Sequence, residues 1–222
     1  MSAVIGVVFV GDSLTFQSFG YAYQWAGVAA DSLYDTGYVP RTGLRKHVTP
    51  GVIFSNWAMS GWRIADLEAQ AAALDALICG ACPVGGGRPT RKYILVVRIG
   101  TNVQDSDPAV SAARLRAYCL ARQAAGWHVV VCPIPSRTDN IIANFDLSYA
   151  QPMNAIIATW GESDGVAGVV SHADAEMYGT LASTTQTTYW NADKVHPLTA
   201  GHTRLKNDLA AVLDPLIEEL QA

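Results

Sequence analysis

The sequence has few charged residues and no strong imbalance between their signs. Charged side chains make up 15% of its 222 residues, and the formal net charge is −4. Its Lys and Arg residues are scattered and form no basic stripe, which argues against nucleic acid as a partner. No apolar run approaches the roughly 20 residues that a membrane-spanning helix needs, so no membrane span is expected.

Cysteine is also scarce, and its 4 copies form no complete metal or redox pattern. Cys79 and Cys82 have the spacing of half a zinc site, but no second Cys pair or His pair supplies the other half. Two alternatives stay open for this pair, a short-range disulfide or two free thiols. Cys132 lies in an apolar run and is predicted to be a small buried side chain. We expect neither a metal nor a cofactor.

The beginning of the sequence lacks the marks of a signal peptide. No positively charged segment precedes the first apolar run, and the run leads into Gly-Asp-Ser rather than a small-residue cleavage site. We therefore interpret this run as the first strand. The expected location is the cytoplasm by default, or outside the cell if a signal has been removed.

What the sequence does have is a regular alternation of strand and helix patterns. Half of the residues, 50%, are hydrophobic, which indicates a compact globular protein. Strands are predicted at 4–10, 52–54, 93–99, 127–132 and 166–171, and helices at 21–34, 64–78, 108–125, 146–160 and 199–220. Such alternation predicts an α/β fold, a three-layer α/β/α sandwich with a central, mostly parallel five-stranded sheet. Without a linker or repeat, residues 1–222 are expected to form a single domain.

Ser13 follows the first predicted strand directly, within Gly11-Asp12-Ser13-Leu14. A turn from strand to helix would place its hydroxyl at the carboxyl edge of the sheet, where open α/β folds bind ligands. Ester hydrolysis needs a nucleophile, a base that takes its proton, a group that orients the base, and donors for the oxyanion. Ser13 is the candidate nucleophile.

Three further segments supply the other groups of such a site. They are Asn56-x-x-x-x-Gly61, Gly100-Thr101-Asn102, and Asp193-x-x-His196-Pro197 before the last predicted helix. Together with the segment around Ser13, they resemble the four signature blocks of the GDSL, or SGNH, hydrolase family in order and spacing. The resemblance extends over residues 11–197. It implies a flavodoxin-like fold of the SGNH-hydrolase type and a serine ester hydrolase that forms an acyl-enzyme intermediate.

The resemblance also implies a role for each site residue. Ser13 would be the nucleophile, His196 its general base, and Asp193 the group that orients the imidazole. The backbone N–H groups of Ser13 and Gly61 and the side-chain amide of Asn102 would form the oxyanion hole. The residues themselves agree with these roles. Glycine at position 61 leaves room for a substrate oxygen, and one turn can bring Asp193 and His196 together.

Two residues near the third block are unusual. The family's third block usually continues with Asp, whereas Val103 follows Asn102 in this chain. This departure leaves open how the loop of Asn102 is held. Arg98 lies within a predicted buried strand and is expected to pair with an acidic residue that the sequence does not identify.

The substrate class stays open at the level of sequence. Polar loops flanked by aromatic residues, without an evident apolar lid, favour a short acyl group, such as acetyl on a small-molecule or carbohydrate ester. Trp62 and Trp190 are candidate substrate-binding residues, and the alternative is that they pack the loops. The competing functions are a lipase, lysophospholipase or thioesterase of the same family, a flavodoxin-like binding domain, and a family member that binds glycans without catalysis.

Overall fold

The computed structural model describes residues 4–15, 52–79, 91–103, 105–139 and 144–222. The predicted helix at 21–34 and the turn-rich stretch before the third strand lie outside these residues. So do Cys82 and the side chain of Cys79, and the two alternatives for this cysteine pair therefore stay open.

A parallel sheet of five strands lies at the centre of the described part of the chain. Its strands are β1 (Val4–Gly11), β2 (Val52–Asn56), β3 (Arg91–Arg98), β4 (Trp127–Val131) and β5 (Gly168–Val169). They lie in the order β2-β1-β3-β4-β5, and each neighbouring pair is parallel. The direction of winding reverses between β1 and β3, and sheets of this kind bind ligands beyond the carboxyl ends of the strands at that point.

Helices follow most of the strands. They are α1 (Ile64–Cys79), α2 (Pro108–Ala124), α3 (Gln151–Ile157), α4 (Ala175–Tyr178), α5 (Ala182–Thr185) and α6 (Thr199–Gln221). A π-helical turn at Asp146–Ala150 leads into α3, and a 3-10 turn at Glu162–Asp164 precedes β5.

The two faces of the sheet carry separate apolar cores, because successive side chains of a strand point to opposite faces. On one face, strand residues such as Leu95 share a cluster with Leu67 of α1 and Leu115 of α2. On the other face, strand residues such as Val96 share a cluster with Leu213 of α6. This arrangement is an α/β/α sandwich, and the fold predicted from the sequence is confirmed.

The ends of α2 show how local sequence determines an element. Asp107 is the N-cap residue, and its side chain accepts a hydrogen bond of 2.8 Å from the Ala109 N–H. Pro108 takes the first helical position, where no N–H is needed. Gly126 follows the helix with a φ of +103°, a conformation that glycine adopts at little steric cost. The helix predicted over 108–125 is confirmed, and it ends one residue earlier than predicted.

Three segments differ from the sequence-based expectation. β5 is shorter than predicted, in keeping with its position at the edge of the sheet. The pattern predicted as one helix over 146–160 divides into a π-helical turn and α3. The stretch over 172–198, for which the sequence predicts neither a helix nor a strand, contains α4 and α5. A tertiary hydrogen bond contributes to this last difference, because the Ser183 N–H donates to Ser136 Oγ at 3.0 Å.

Candidate active site

Ser13 lies just beyond the carboxyl end of β1, in a turn that is packed tightly against β3. The Asp12 N–H donates to the Arg98 carbonyl oxygen at 3.3 Å, and Asp12 Oδ1 accepts the Leu14 N–H at 3.0 Å. A Cβ on Gly11 would lie 2.0 Å from the same Arg98 oxygen, so only glycine fits at this position. Ser13 itself is 7% exposed, which places its hydroxyl at the margin of the buried sheet edge.

Ser13, His196 and Asp193 form a continuous chain of hydrogen bonds. His196 Nε2 lies 3.1 Å from Ser13 Oγ, and His196 Nδ1 lies 2.7 Å from Asp193 Oδ2. When Nδ1 donates to the carboxylate, Nε2 is the acceptor that faces the serine hydroxyl. This is the geometry of a nucleophile, its base and the group that orients the base.

The turn that carries Asp193 and His196 is organised by the Asp193 carboxylate. Its Oδ1 accepts the N–H groups of both Val195 and His196 at 3.0 Å, and Lys194, the residue after Asp193, adopts a φ of +57°. Burial alone would raise the pKa of Asp193. The hydrogen bonds from the His196 backbone, the His196 ring and the Val195 N–H outweigh burial and lower the pKa below its ordinary value. Asp193 is therefore ionised at neutral pH.

Gly61 lies in a turn that is attached to the strand before the serine. The Met59 N–H donates to the Gly11 carbonyl oxygen at 3.1 Å, and the Trp62 N–H closes the turn on the Met59 carbonyl oxygen at 3.3 Å. Gly61 is the third residue of this turn, and its φ of +82° is typical of a type II turn. No atom of the described residues lies within 4 Å of the position that a Cβ would take, so this part of the chain leaves the space beside the backbone open.

The Asn102 side chain is oriented by the Gly61 turn. Its Nδ2 donates to the Trp62 carbonyl oxygen at 3.1 Å. An amide NH₂ carries two protons, and the second one is available to a further acceptor. The structure thus joins the block of Asn102 to the block of Gly61, and the block of Gly61 to the strand that ends beside Ser13.

Comparison with known proteins gives matches in structure where sequence gives none. No protein-family model matches the sequence, and no curated protein matches it. A member of the lipolytic protein G-D-S-L family from Veillonella parvula is 18% identical, with a TM-score of 0.60 over 95% of this chain and 99% of that chain. A catalytic mutant of Axe2, an acetylxylan esterase from Geobacillus stearothermophilus, is 18% identical, with a TM-score of 0.62 over 96% of this chain and 95% of that chain. LAE5, an alpha/beta hydrolase enzyme from the metagenome of Lake Arreo, Spain, is 18% identical, with a TM-score of 0.61 over 97% of this chain and 98% of that chain.

The chain has the fold of the GDSL, or SGNH, hydrolases. These matches extend over nearly the full length of each chain, whereas the resemblance in sequence rests on four short blocks. At such low identity the likeness establishes the fold, and the chemistry has to be argued from the residues at the site.

Two buried ionisable residues, Asp12 and Arg98, lie beside the candidate site in this fold. Asp12 is fully buried, and its Oδ2 accepts the Thr101 N–H at 3.2 Å, which joins the serine turn to the loop of Asn102. Burial raises the pKa of Asp12, and its hydrogen bonds and the charge of Arg98 oppose the rise. Burial likewise raises the pKa of Asp208 on α6, and the charge of Arg98 again acts to lower it. Among the described residues, Asp12 and Asp208 are therefore two acidic groups on which the charge of Arg98 acts, neither of which the sequence could identify.

The two tryptophans proposed as substrate-binding residues have different surroundings. Trp190 is 2% exposed, its indole N–H donates to the Glu176 carbonyl oxygen at 3.0 Å, and it shares a small core cluster with Met177 and Leu205. This burial favours the packing alternative for Trp190, because the ring offers almost no surface to a substrate. Trp62 is half-buried against the larger core and lies beside Asn102, to which its carbonyl oxygen is bonded.

The described residues contain no group of three or more His, Cys, Asp or Glu side chains placed to hold a metal ion. Within the same part of the chain, no helix has both the length and the apolar character needed to cross a membrane. Cys119 and Cys132 are buried free thiols, and burial raises the pKa of both. The predicted burial of Cys132 is confirmed.

Proposed function

We propose that the protein is a serine ester hydrolase with Ser13 as nucleophile, His196 as general base and Asp193 as the group that orients the imidazole. The observation that carries this proposal is the hydrogen-bonded chain of these three side chains, with separations of 3.1 Å and 2.7 Å. Ser13, the first member of this chain of hydrogen bonds, lies at the carboxyl end of β1, beside the point where the winding of the sheet reverses.

In the first half of the proposed reaction, Ser13 Oγ attacks the ester carbonyl carbon while His196 Nε2 takes the hydroxyl proton. The ionised Asp193 stabilises the imidazolium that forms. The tetrahedral intermediate then expels the alcohol, which receives the proton from His196, and the acyl group remains on Ser13. Water attacks this acyl-enzyme by the same route, and the acid leaves as Ser13 regains its proton.

Negative charge develops on the carbonyl oxygen in both halves of this reaction. We assign its stabilisation to the N–H groups of Ser13 and Gly61 and to Asn102 Nδ2. Two contacts support the assignment. The Gly61 turn is bonded to β1 through Met59, and the Asn102 amide is oriented by the Trp62 carbonyl oxygen. Donors fixed before the reaction need no reorganisation as the charge appears.

The substrate class that we propose is a short-chain ester, with acetyl groups on carbohydrates as the preferred case. Two features support this choice. Trp62 is half-buried, its carbonyl oxygen accepts a hydrogen bond from Asn102 of the proposed oxyanion hole, and its ring is a candidate aromatic surface of the kind on which a sugar can pack. The structural neighbour Axe2 is an acetylxylan esterase.

Hydrolysis of p-nitrophenyl acetate tests the reaction. Ser13→Ala is expected to lower kcat/KM by at least about 10⁴-fold, because it removes the atom that forms the acyl-enzyme. The matched control is Ser163→Ala, an exposed serine in the 3-10 turn before β5, and it should keep wild-type activity. Full activity in Ser13→Ala would exclude this serine as the nucleophile, and a wild-type protein without turnover would refute the function.

A series of p-nitrophenyl esters from acetyl to octanoyl tests the substrate class, together with acetate release from acetylated xylan. We expect kcat/KM to be highest for acetyl and acetate to be released from the polymer. A value of kcat/KM that rises with chain length would favour the lipase, lysophospholipase or thioesterase alternative.

A further inference from the structure

Arg137 donates to the loop that carries Asn102. Its Nη1 lies 2.6 Å from the carbonyl oxygen of Thr101, the residue before Asn102. Arg137 is 7% exposed, so water is largely excluded from this bond, and a charged donor strengthens it. On the other side of the same residue, the Thr101 N–H donates to Asp12. The buried side chains of Arg137 and Asp12 therefore hold the peptide groups on both sides of Thr101.

Arg137 is itself held in one orientation. Its Nε and Nη2 each lie 2.8 Å from a carboxylate oxygen of Asp139, in a bidentate pair. Its guanidinium lies 6.0 Å from the centre of the Phe145 ring, and its backbone N–H donates to the buried Asp146 at 2.7 Å. These contacts leave Nη1 directed at Thr101.

The residue after Arg137 contacts the other half of the candidate site. The Thr138 N–H donates at 3.1 Å to the carbonyl oxygen of Lys194, which lies between Asp193 and His196. The short segment that begins at Arg137 therefore bridges the loop of the proposed oxyanion hole and the turn of the acid and the histidine.

The support from Arg137 matters because Val103 follows Asn102 where the third block of the family usually has Asp. Val103 is half-buried against the larger core and its side chain can form no hydrogen bond. Among the described residues, polar support of the Asn102 loop comes from Asp12, Arg137 and Trp62.

We propose that Arg137 is a positioning residue for Asn102, an inference that rests on the esterase function proposed above. Loss of the bond to Thr101 would let the loop shift, and a misplacement of about 1 Å in a catalytic group can cost on the order of 100-fold in rate. Because the Asn102 amide acts on charge that develops in the transition state, kcat should fall while KM changes little.

Arg137→Met tests this role against a matched control, Arg122→Met. Arg122 is 8% exposed, donates at 2.9 Å to a backbone carbonyl, that of Ala71, and pairs with Asp75, but it does so at the contact between α1 and α2. Both variants should lower the melting temperature. Only Arg137→Met should lower kcat, by roughly 10- to 100-fold. Arg137→Lys retains a charged donor and should recover part of this loss.

A double-mutant cycle with Asn102→Ala separates positioning from a general structural effect. If Arg137 acts through Asn102, Arg137→Met should change kcat by less than about threefold in the Asn102→Ala background. A full multiplicative loss in that background, or an equal loss of kcat in Arg122→Met, would overturn the positioning role and leave the esterase function standing. Failure of the function itself is recognised separately, by a wild-type protein that does not hydrolyse the ester.

Discussion

Gly61 and Gly126 allow a matched test of the proposed oxyanion hole. Their φ angles are +82° and +103°, and within the described part of the chain a Cβ at either position would meet no atom within 4 Å. Gly61 lies in the turn beyond the carboxyl end of β2, whereas Gly126 lies before β4, at the opposite edge of the sheet. Alanine at either position therefore adds a similar backbone strain, because both residues have a positive φ. The two positions differ in that only Gly61 lies near the proposed site.

The expected magnitudes follow from this geometry. An L-residue held in the left-handed region costs roughly 1–2 kcal/mol. Since a chain of this size loses about 2–4 °C in Tm for each kcal/mol, Gly61→Ala and Gly126→Ala should each melt roughly 2–8 °C lower. Relaxation of the strain at position 61 would also turn its N–H away from the substrate oxygen. Loss of one oxyanion donor costs about 10²- to 10³-fold in kcat, so Gly61→Ala alone should lose activity.

Thermal unfolding followed by circular dichroism measures the loss of stability that the two variants share. Hydrolysis of p-nitrophenyl acetate, at a temperature well below both melting temperatures, measures the difference between their kcat values. The proposed role of the Gly61 N–H is refuted if the two variants have equal kcat. It is also refuted if Gly61→Ala loses only as much activity as its lower stability explains, because the N–H of Gly61 would then have no separate part in the reaction.

Two further predictions concern the acid of the proposed triad and the apolar core. Asp193→Asn should lower kcat by roughly 10²- to 10⁴-fold, because an amide does not hold the required tautomer of the imidazole; a near wild-type kcat would exclude the orienting role. Hydrogen bonds lower the pKa of Asp193 in the folded state. The ionised carboxylate therefore contributes fully to folding stability above the ordinary carboxyl pKa, and this contribution is lost as pH falls through the pKa of the folded state. The stabilities of wild type and Asp193→Asn in acid unfolding should accordingly converge below about pH 4. Leu213→Ala, at a fully buried position of α6, should lower the free energy of unfolding by roughly 2–5 kcal/mol. Denaturant titration measures that loss, and kcat should be unchanged under conditions where the variant is folded; a large loss of kcat there would contradict the separation of core from site.

The parts of the fold that the sequence predicts correctly depend on local signals. The apolar run before Gly11 is bounded by a turn, and β1 ends at that residue. Asp107 and Pro108 form a helix start whose physical basis lies within one turn, and α2 begins there. The site residues lie next to such elements, which is why their blocks could be recognised.

The parts that the sequence does not predict depend on contacts between distant segments. Arg98 is recognisable as an unusual residue in a buried strand, but Asp208 becomes its neighbour only when α6 packs on the sheet. Arg137 is one of the scattered arginines in the sequence, and its bond to Thr101 exists only once β3 and β4 are adjacent. No periodicity or short motif encodes either contact.

Three carboxylates perform the same structural task around the candidate site. Asp12, Asp193 and Asp146 each accept at least two hydrogen bonds from nearby backbone N–H groups, and each thereby fixes one loop. Asp12 and Asp146 are buried, and a buried carboxylate is tolerated only when such donors satisfy it, whereas Asp193 is exposed and acts through the same bonds at the surface. The side chains of the proposed site thus lie on loops held by polar contacts, while apolar packing holds the sheet and helices beneath them. For this reason, substitutions such as Leu213→Ala should act on stability, whereas Gly61→Ala and Arg137→Met should act on kcat beyond any loss of stability.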